Sequence, residues 1–117
     1  MINILKIFTK KDSLKRKILN IVDDIKAEVK PHCDRRFWIN WYGAYEIDPK
    51  NLAICVCVKT DKTKLKLTSN TELKTRINHL FIKYDYPIHA RSVVQVDFES
   101  QETVDRESHG NWFQHFK

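Results

Sequence analysis

The periods of apolar and polar positions outline the fold before any motif does. Residues 37–47 alternate. Phe37, Ile39, Trp41, Tyr45 and Ile47 fall on one face, with Gly43 among them; Trp38, Asn40, Tyr42, Ala44 and Glu46 fall on the other. A period of two built from aromatic and β-branched residues predicts a strand. Residues 52–58 are continuously apolar, with Leu52, Ile54, Val56 and Val58 on one face and Ala53, Cys55 and Cys57 on the other. A strand apolar on both faces is expected in the middle of a sheet, covered on both sides. Asp48-Pro49-Lys50-Asn51 lies between the two runs and carries turn chemistry, so an antiparallel hairpin is predicted. Gly43 inside the first strand predicts a bulge or a close backbone approach. A bulge would shift the faces of Tyr45 and Ile47.

On either side the period becomes helical. Leu14, Ile18, Ile21, Val22, Ile25 and Val29 form one stripe, with Asp12 or Ser13 as the expected N-cap and Pro31 as the stop. Lys15, Arg16 and Lys17 would then occupy the first turn, where cations oppose the helix dipole. Either the helix begins earlier, near Asn3, or the cluster serves a partner. The first eight residues fit a short helix or an edge strand. Beyond the hairpin, Asp61 is placed to cap a short turn carrying Lys62, Lys64 and Lys66. Ser69 and Glu72 fit a capping box for a second helix with the stripe Leu73, Ile77, Leu80, Phe81 and Tyr84. This helix should end near Lys83, before the loop Asp85-Tyr86-Pro87.

Residues 88–99 alternate again, with Ile88, Ala90, Val94, Val96 and Phe98 inward and His89, Arg91, Gln95, Asp97 and Glu99 outward. One wet face places this strand near an edge. Ser100 is expected to cap a short helix ending at Gly110, and the aromatic tail NWFQHFK is either a fourth strand or a segment packed on the sheet. The predicted fold class is α+β: a single domain over residues 1–117, a two-layer sandwich in the order α-β-β-α-β-α-(β). Two amphipathic helices would pack on one face of a sheet built around the central hairpin.

Length and composition support that picture. A chain of 117 residues with 42% hydrophobic and 31% charged residues, two glycines and three prolines is globular in character, without long linkers. No apolar run approaches the ~20 residues that span a bilayer, so no membrane partner is expected. The start, MINILKIF, lacks the basic residues and cleavage site of a signal peptide. Three cysteines, with Cys55 and Cys57 poorly placed to bridge each other, predict reduced thiols and a cytoplasmic protein.

Charge adds the main functional hint. The net formal charge is +6, unevenly spread: residues 1–36 carry ten Lys/Arg against five Asp/Glu, residues 59–83 seven against two, and residues 84–117 three against six. A basic field of this kind draws acidic partners. Aromatic residues lie beside it. If the helices cover the face of Phe37, Ile39 and Trp41, then Trp38 and Tyr42 are exposed unless the tail covers them. The expected binding residues are therefore Trp38 and Tyr42 together with Arg35, Arg36, Lys15, Arg16, Lys17, Lys62, Lys64 and Lys66; Lys10, Lys11 and Lys59 extend the same basic clusters. Exposed aromatics beside cations stack bases or anchor proteins. An acidic C-terminal third fits a protein partner better than nucleic acid.

Catalytic chemistry is harder to find. Cys55-x-Cys57 and His32-Cys33 lack the paired loop spacing of a structural zinc site, so no metal or cofactor is expected. Cys33, beside His32, Arg35 and Arg36, has cations that lower a thiol pKa but no visible catalytic partner. Asp97 and Glu99 share a strand face, as carboxylates of metal-dependent nucleases do, yet no lysine follows at short range and a solvated edge accounts for them. No Gly-rich phosphate loop is present. The chain thus reads as a non-enzymatic module for an acidic protein partner, regulatory, antitoxin or immunity-type, with single-stranded nucleic acid as the alternative and a metal-dependent nuclease third.

Overall fold

The computed structural model describes residues 2–116, with side chains from Ser13 onward. It is an α+β domain whose described elements run α1 (Ile2–Val29), β1 (Trp38–Tyr42), β2 (Ala53–Val58), α2 (Asp61–Thr68), α3 (Thr71–Lys83), β3 (Gln95–Ser100), α4 (Gln101–Ser108) and α5 (Trp112–His115). The sheet order is β1-β2-β3, so the doubly apolar run is central, as its composition requires. β1 pairs antiparallel with β2, in register Trp38↔Cys57 through Tyr42↔Ala53. β3 lies on the other side of β2 and runs parallel to it, from Ala53↔Gln95 to Val58↔Ser100. A parallel neighbour needs a long crossover, and α2 with α3 supplies it.

The core lies on one sheet face. Ile18, Ile21, Ile25 and Val29 of α1 and Leu73, Ile77 and Phe81 of α3 are buried against Ile54, Val56, Val58 and Phe98. Each such side chain contributes about 1.5–3 kcal/mol by leaving water. Polar ties at the rim align the two helices. Arg76 Nε meets Glu28 at 2.9 Å, and Asp24 accepts from Tyr84 Oη at 2.6 Å and Lys83 Nζ at 3.1 Å.

Several local expectations change. The first helix starts at Ile2, so neither Asp12 nor Ser13 caps it, and Lys15, Arg16 and Lys17 lie well past the first turn. Their conflict with the helix dipole disappears, because the field is concentrated in the terminal turns. The side chains of Lys10 and Lys11 lie outside the described residues. β1 stops at Tyr42 because Gly43 takes φ +104°, where a Cβ would meet the Asn51 carbonyl oxygen at 2.0 Å. Gly43 thus ends the strand instead of bulging it. Ile47, expected on the core face, is 85% exposed in the turn that follows.

α3 is capped by Asn70, whose Oδ1 accepts from Leu73 N at 3.0 Å, and not by Ser69. Past its end, Asp85 adopts a left-handed φ of 54° and Tyr86 N bonds back to Phe81 O at 2.8 Å. This Schellman closure turns Tyr86 into the core, with its hydroxyl on Pro49 O at 2.6 Å. Burial pushes the Tyr86 phenol up to about 12. The third strand begins only at Gln95. Residues 88–90 form a 3-10 turn, Ala90 is buried, and Ile88 is 78% exposed. Ser100 caps α4 as expected, its Oγ accepting from Thr103 N at 3.1 Å, and the helix closes through His109 and Gly110, left-handed at φ 52° and 79°. The tail is a short helix and not a fourth strand, started by Asn111 Oδ1 accepting from Gln114 N at 2.9 Å.

Candidate binding cleft

Because β2 and β3 are parallel, their C-terminal ends open at the same end of the sheet. Each feeds a helix: Thr60 caps α2 by accepting from Thr63 N at 3.2 Å, and Ser100 caps α4. Asp61 joins the two helix starts. Its carboxylate accepts from Ser100 Oγ, from Thr103 Oγ1 at 2.7 Å and from Arg106 Nη1 at 2.6 Å. These hydrogen bonds, Ser100's first, hold its pKa well below the usual carboxylate range. Glu102 adds a second tie by accepting from Asp61 N at 2.8 Å.

The segment that leaves α1 passes over this end. Residues 30–32 make a 3-10 turn, and the chain then lays Cys33, Asp34 and Arg35 beside α2. An open cleft of about 700 Å³ results, bounded by His32, Cys33, Arg35, Thr60, Lys62 and Lys66. It continues into a second recess of about 460 Å³ bounded by Arg35, Arg36, Lys59, Thr60 and Glu102. Two basic clusters distant in sequence therefore form one surface. Among the described residues, none of Arg35, Arg36, Lys59, Lys62 and Lys66 stands within 4 Å of a carboxylate. Lys17, Lys64, Arg76, Lys83, Arg91 and Arg106 all do. Asp34 and Glu102 also line the cleft, so its five cations outnumber its carboxylates and pair directly with neither.

Other expected residues fall elsewhere. On a helix, Lys62 and Lys66 share a face and Lys64 turns away from both. Lys64 accordingly reaches Glu99 at 2.7 Å on the opposite side of α2. Lys15, Arg16 and Lys17 lie on α1 about 20 Å from the cleft, at 1.5 Å of rise per residue. Lys17 there donates to Asp85 O at 3.1 Å. Trp38 lies outside the cleft lining, but Lys59, which is part of it, has its Nζ 5.4 Å from the Trp38 ring centroid. The lining residues His32, Thr60, Thr63 and Glu102 were not expected. The one signal for them was Thr60-Asp61, cap residues directly after a central strand.

The second sheet face carries the aromatic residues and is partly covered by the tail. Trp112 packs edge-on against Trp38, ring centroids 5.3 Å apart, and Phe116 lies 6.0 Å from Tyr42. Trp38 is half-buried and Tyr42 remains 47% exposed. Glu99 anchors this cover. It accepts from Lys64 Nζ, and its other oxygen lies 2.7 Å from His115 Nε2. Burial raises the Glu99 pKa, but hydrogen bonds from Lys64, His115 and Ser100 N outweigh it, leaving the carboxyl below its usual range.

The lysine missing from the sequence neighbourhood of Asp97 and Glu99 is thus supplied in space by Lys64. Even so, among the described residues no three His, Cys, Asp or Glu side chains stand close enough together to hold a metal ion. Cys33 is held above the ordinary thiol range, by burial first and by Asp34 second, against a smaller opposing effect of Lys66. A thiol so raised is a poor nucleophile at neutral pH. Cys55 and Cys57 share a hydrogen bond, Sγ to Sγ 3.7 Å apart, and as the partner that keeps its proton Cys55 is driven far upward by that bond and by burial. All three cysteines are free. No helix among the described residues is long and apolar enough to cross a membrane. Comparison with known proteins finds no family model, no curated protein and no solved structure that matches the chain.

Proposed function

We propose that the chain is a non-enzymatic interaction module that docks an acidic partner in the cleft between the α1–β1 connection and α2. The observation that carries this is the convergence of Arg35, Arg36, Lys59, Lys62 and Lys66 with no carboxylate partner among the described residues. Desolvating such a cluster in isolation is unfavourable, and an acidic surface offsets the cost while speeding encounter. A protein is the favoured partner, as for small regulatory, antitoxin or immunity-type proteins. Three free thiols fit a reducing, cytoplasmic setting.

Single-stranded nucleic acid is the second reading. It is favoured by Trp38, a half-buried ring with the cleft residue Lys59 over it, which can stack a base. Tryptophan emission titrated with poly-glutamate and with oligo(dT) separates the two. A protein-docking cleft binds poly-glutamate, and the triple variant Arg35→Glu/Lys62→Glu/Lys66→Glu loses at least tenfold in affinity. Tight oligo(dT) binding with a steep salt slope and negligible poly-glutamate binding moves the assignment to nucleic acid. Binding of neither probe removes the cleft as a docking site.

A further inference from the structure

β1 is an edge strand, its outer side unpaired among the described residues, and it leads out of the basic cleft. Among the described residues β1 pairs with β2 alone, and no other backbone hydrogen bond reaches residues 38–42. In an antiparallel pair, alternate residues bond the partner, while the N–H and C=O groups of the others point away from it. Natural edges are commonly guarded by lysine, proline or a bulge. Trp38-Ile39-Asn40-Trp41-Tyr42 has no lysine or proline, and its register with β2 is continuous. The opposite edge, β3, carries Asp97 and Glu99.

Charge distinguishes the two ends of this open edge. The chain enters β1 through Arg35 and Arg36. Trp38 is paired with Cys57, so Arg36 and Lys59 lie two residues beyond that pair on neighbouring strands, and both line the same recess. At the other end the strand stops at Gly43.

We infer that the partner adds an extended, acidic peptide segment to β1 as a fourth strand, its carboxylates running into the cleft at Arg35, Arg36 and Lys59. This rests on the docking function proposed above and adds its mode. Main-chain hydrogen bonds along Trp38–Tyr42 supply affinity without regard to sequence, and the cations at one end select acidic segments. Nucleic acid has no peptide backbone to complete the ladder, so strand addition separates a protein partner from it. The rings of Trp38 and Tyr42, on alternate positions of one face, become cross-strand neighbours of the incoming side chains.

The test uses the whole chain and two probes: acetyl-(Glu-Val)4-amide, and the same peptide N-methylated at its four central residues. N-methylation removes donors from both peptide edges and leaves every charge in place. Strand addition predicts that the unmodified peptide slows amide exchange within residues 38–42 and that the N-methylated peptide binds at least tenfold more weakly. Arg35→Glu/Arg36→Glu should weaken the unmodified peptide by a similar factor. Equal affinity for both probes without protection of β1 overturns strand addition and leaves the acidic-docking function standing. Binding of neither overturns both. Light scattering supplies a further arm: a stable dimer that excludes the peptide would assign the β1 edge to a second copy and overturn the inference.

Discussion

Glu99 stands 2.7 Å from His115, so the last helix is fastened to the edge strand β3 by a charge-assisted contact. Ser108 Oγ contacts the other ring nitrogen at 3.0 Å, and Trp112 Nε1 donates to Gln101 Oε1 at 2.8 Å. His115→Ala removes the fastening and leaves Glu99 with Lys64 and Ser100 N. The expected loss is about 1–3 kcal/mol, the range for a partly buried hydrogen bond to a charged group. Urea denaturation should show it. Tryptophan emission should shift to longer wavelength already in the native state, since Trp38 and Trp112 cover each other. An unchanged native spectrum would mean that the aromatic contacts hold α5 unaided.

Asp61 should make stability depend on acid. Its pKa is depressed in the folded state by the hydroxyls of Ser100 and Thr103 and the Arg106 guanidinium. A depressed carboxyl contributes stability that is present above its unfolded pKa, about 4. That stability is lost as pH falls through the lower folded value. Asp61→Asn is therefore expected to be less stable than the parent at pH 7, with the gap shrinking as pH falls below about 4. Urea midpoints measured across that window give the answer. A gap that stays constant with pH would mean that folding does not lower the Asp61 pKa.

Gly43 should resist replacement. Alanine at φ +104° is strained, and its Cβ would fall 2.0 Å from the backbone oxygen of Asn51. The turn between β1 and β2 would have to move, at a cost on the order of 2 kcal/mol or more. Replacing the exposed Ile47 nearby with serine should stay within ~0.5 kcal/mol. Thermal denaturation of the two variants should therefore differ clearly, with Gly43→Ala melting several degrees lower.

The cysteines should differ in reactivity by position. Cys33 borders the cleft with a raised pKa, so its alkylation by iodoacetamide should be slow at pH 7 and accelerate with alkali. Cys55 and Cys57 are buried and should react only on unfolding. Mass spectrometry of the labelled protein is expected to show one modified site in native buffer and three in denaturant. Rapid native labelling at pH 7 would contradict the account of Cys33.

The strands and helices were legible because single faces are strongly apolar. The α1 stripe from Ile18 to Val29, the doubly apolar β2 and the α3 stripe all appear in the core as read. The connections were not legible, because each depends on one backbone geometry that alternation conceals. Gly43 halts β1, so Ile47 kept the period of a strand without being in one. Tyr86 looked like a loop residue because nothing local announces a left-handed Asp85, yet it is among the largest fully buried side chains. The cleft was half legible. Arg35, Arg36, Lys62 and Lys66 were among the cations singled out, but so were Lys15, Arg16 and Lys17, which lie elsewhere on α1, and spacing alone treats Lys62, Lys64 and Lys66 as equivalent. A helix over Asp61–Thr68 sends Lys64 to Glu99 and keeps Lys62 and Lys66 with Arg35.

The parallel pairing of β2 with β3 sets the order in which the molecule can assemble. The β1–β2 hairpin closes through a short connection, but β3 must wait until α2 and α3 have formed and carried the chain back across the sheet. Pairing between such remote segments is slow, since loop closure must precede its reward. Residues 31–36 and 59–66 are brought together by the hairpin, whereas Glu102 joins them only once β3 is in place. A partly folded chain would then carry every cation of the cleft without the Glu102 and Ser100 contacts that fix Asp61 and the start of α2.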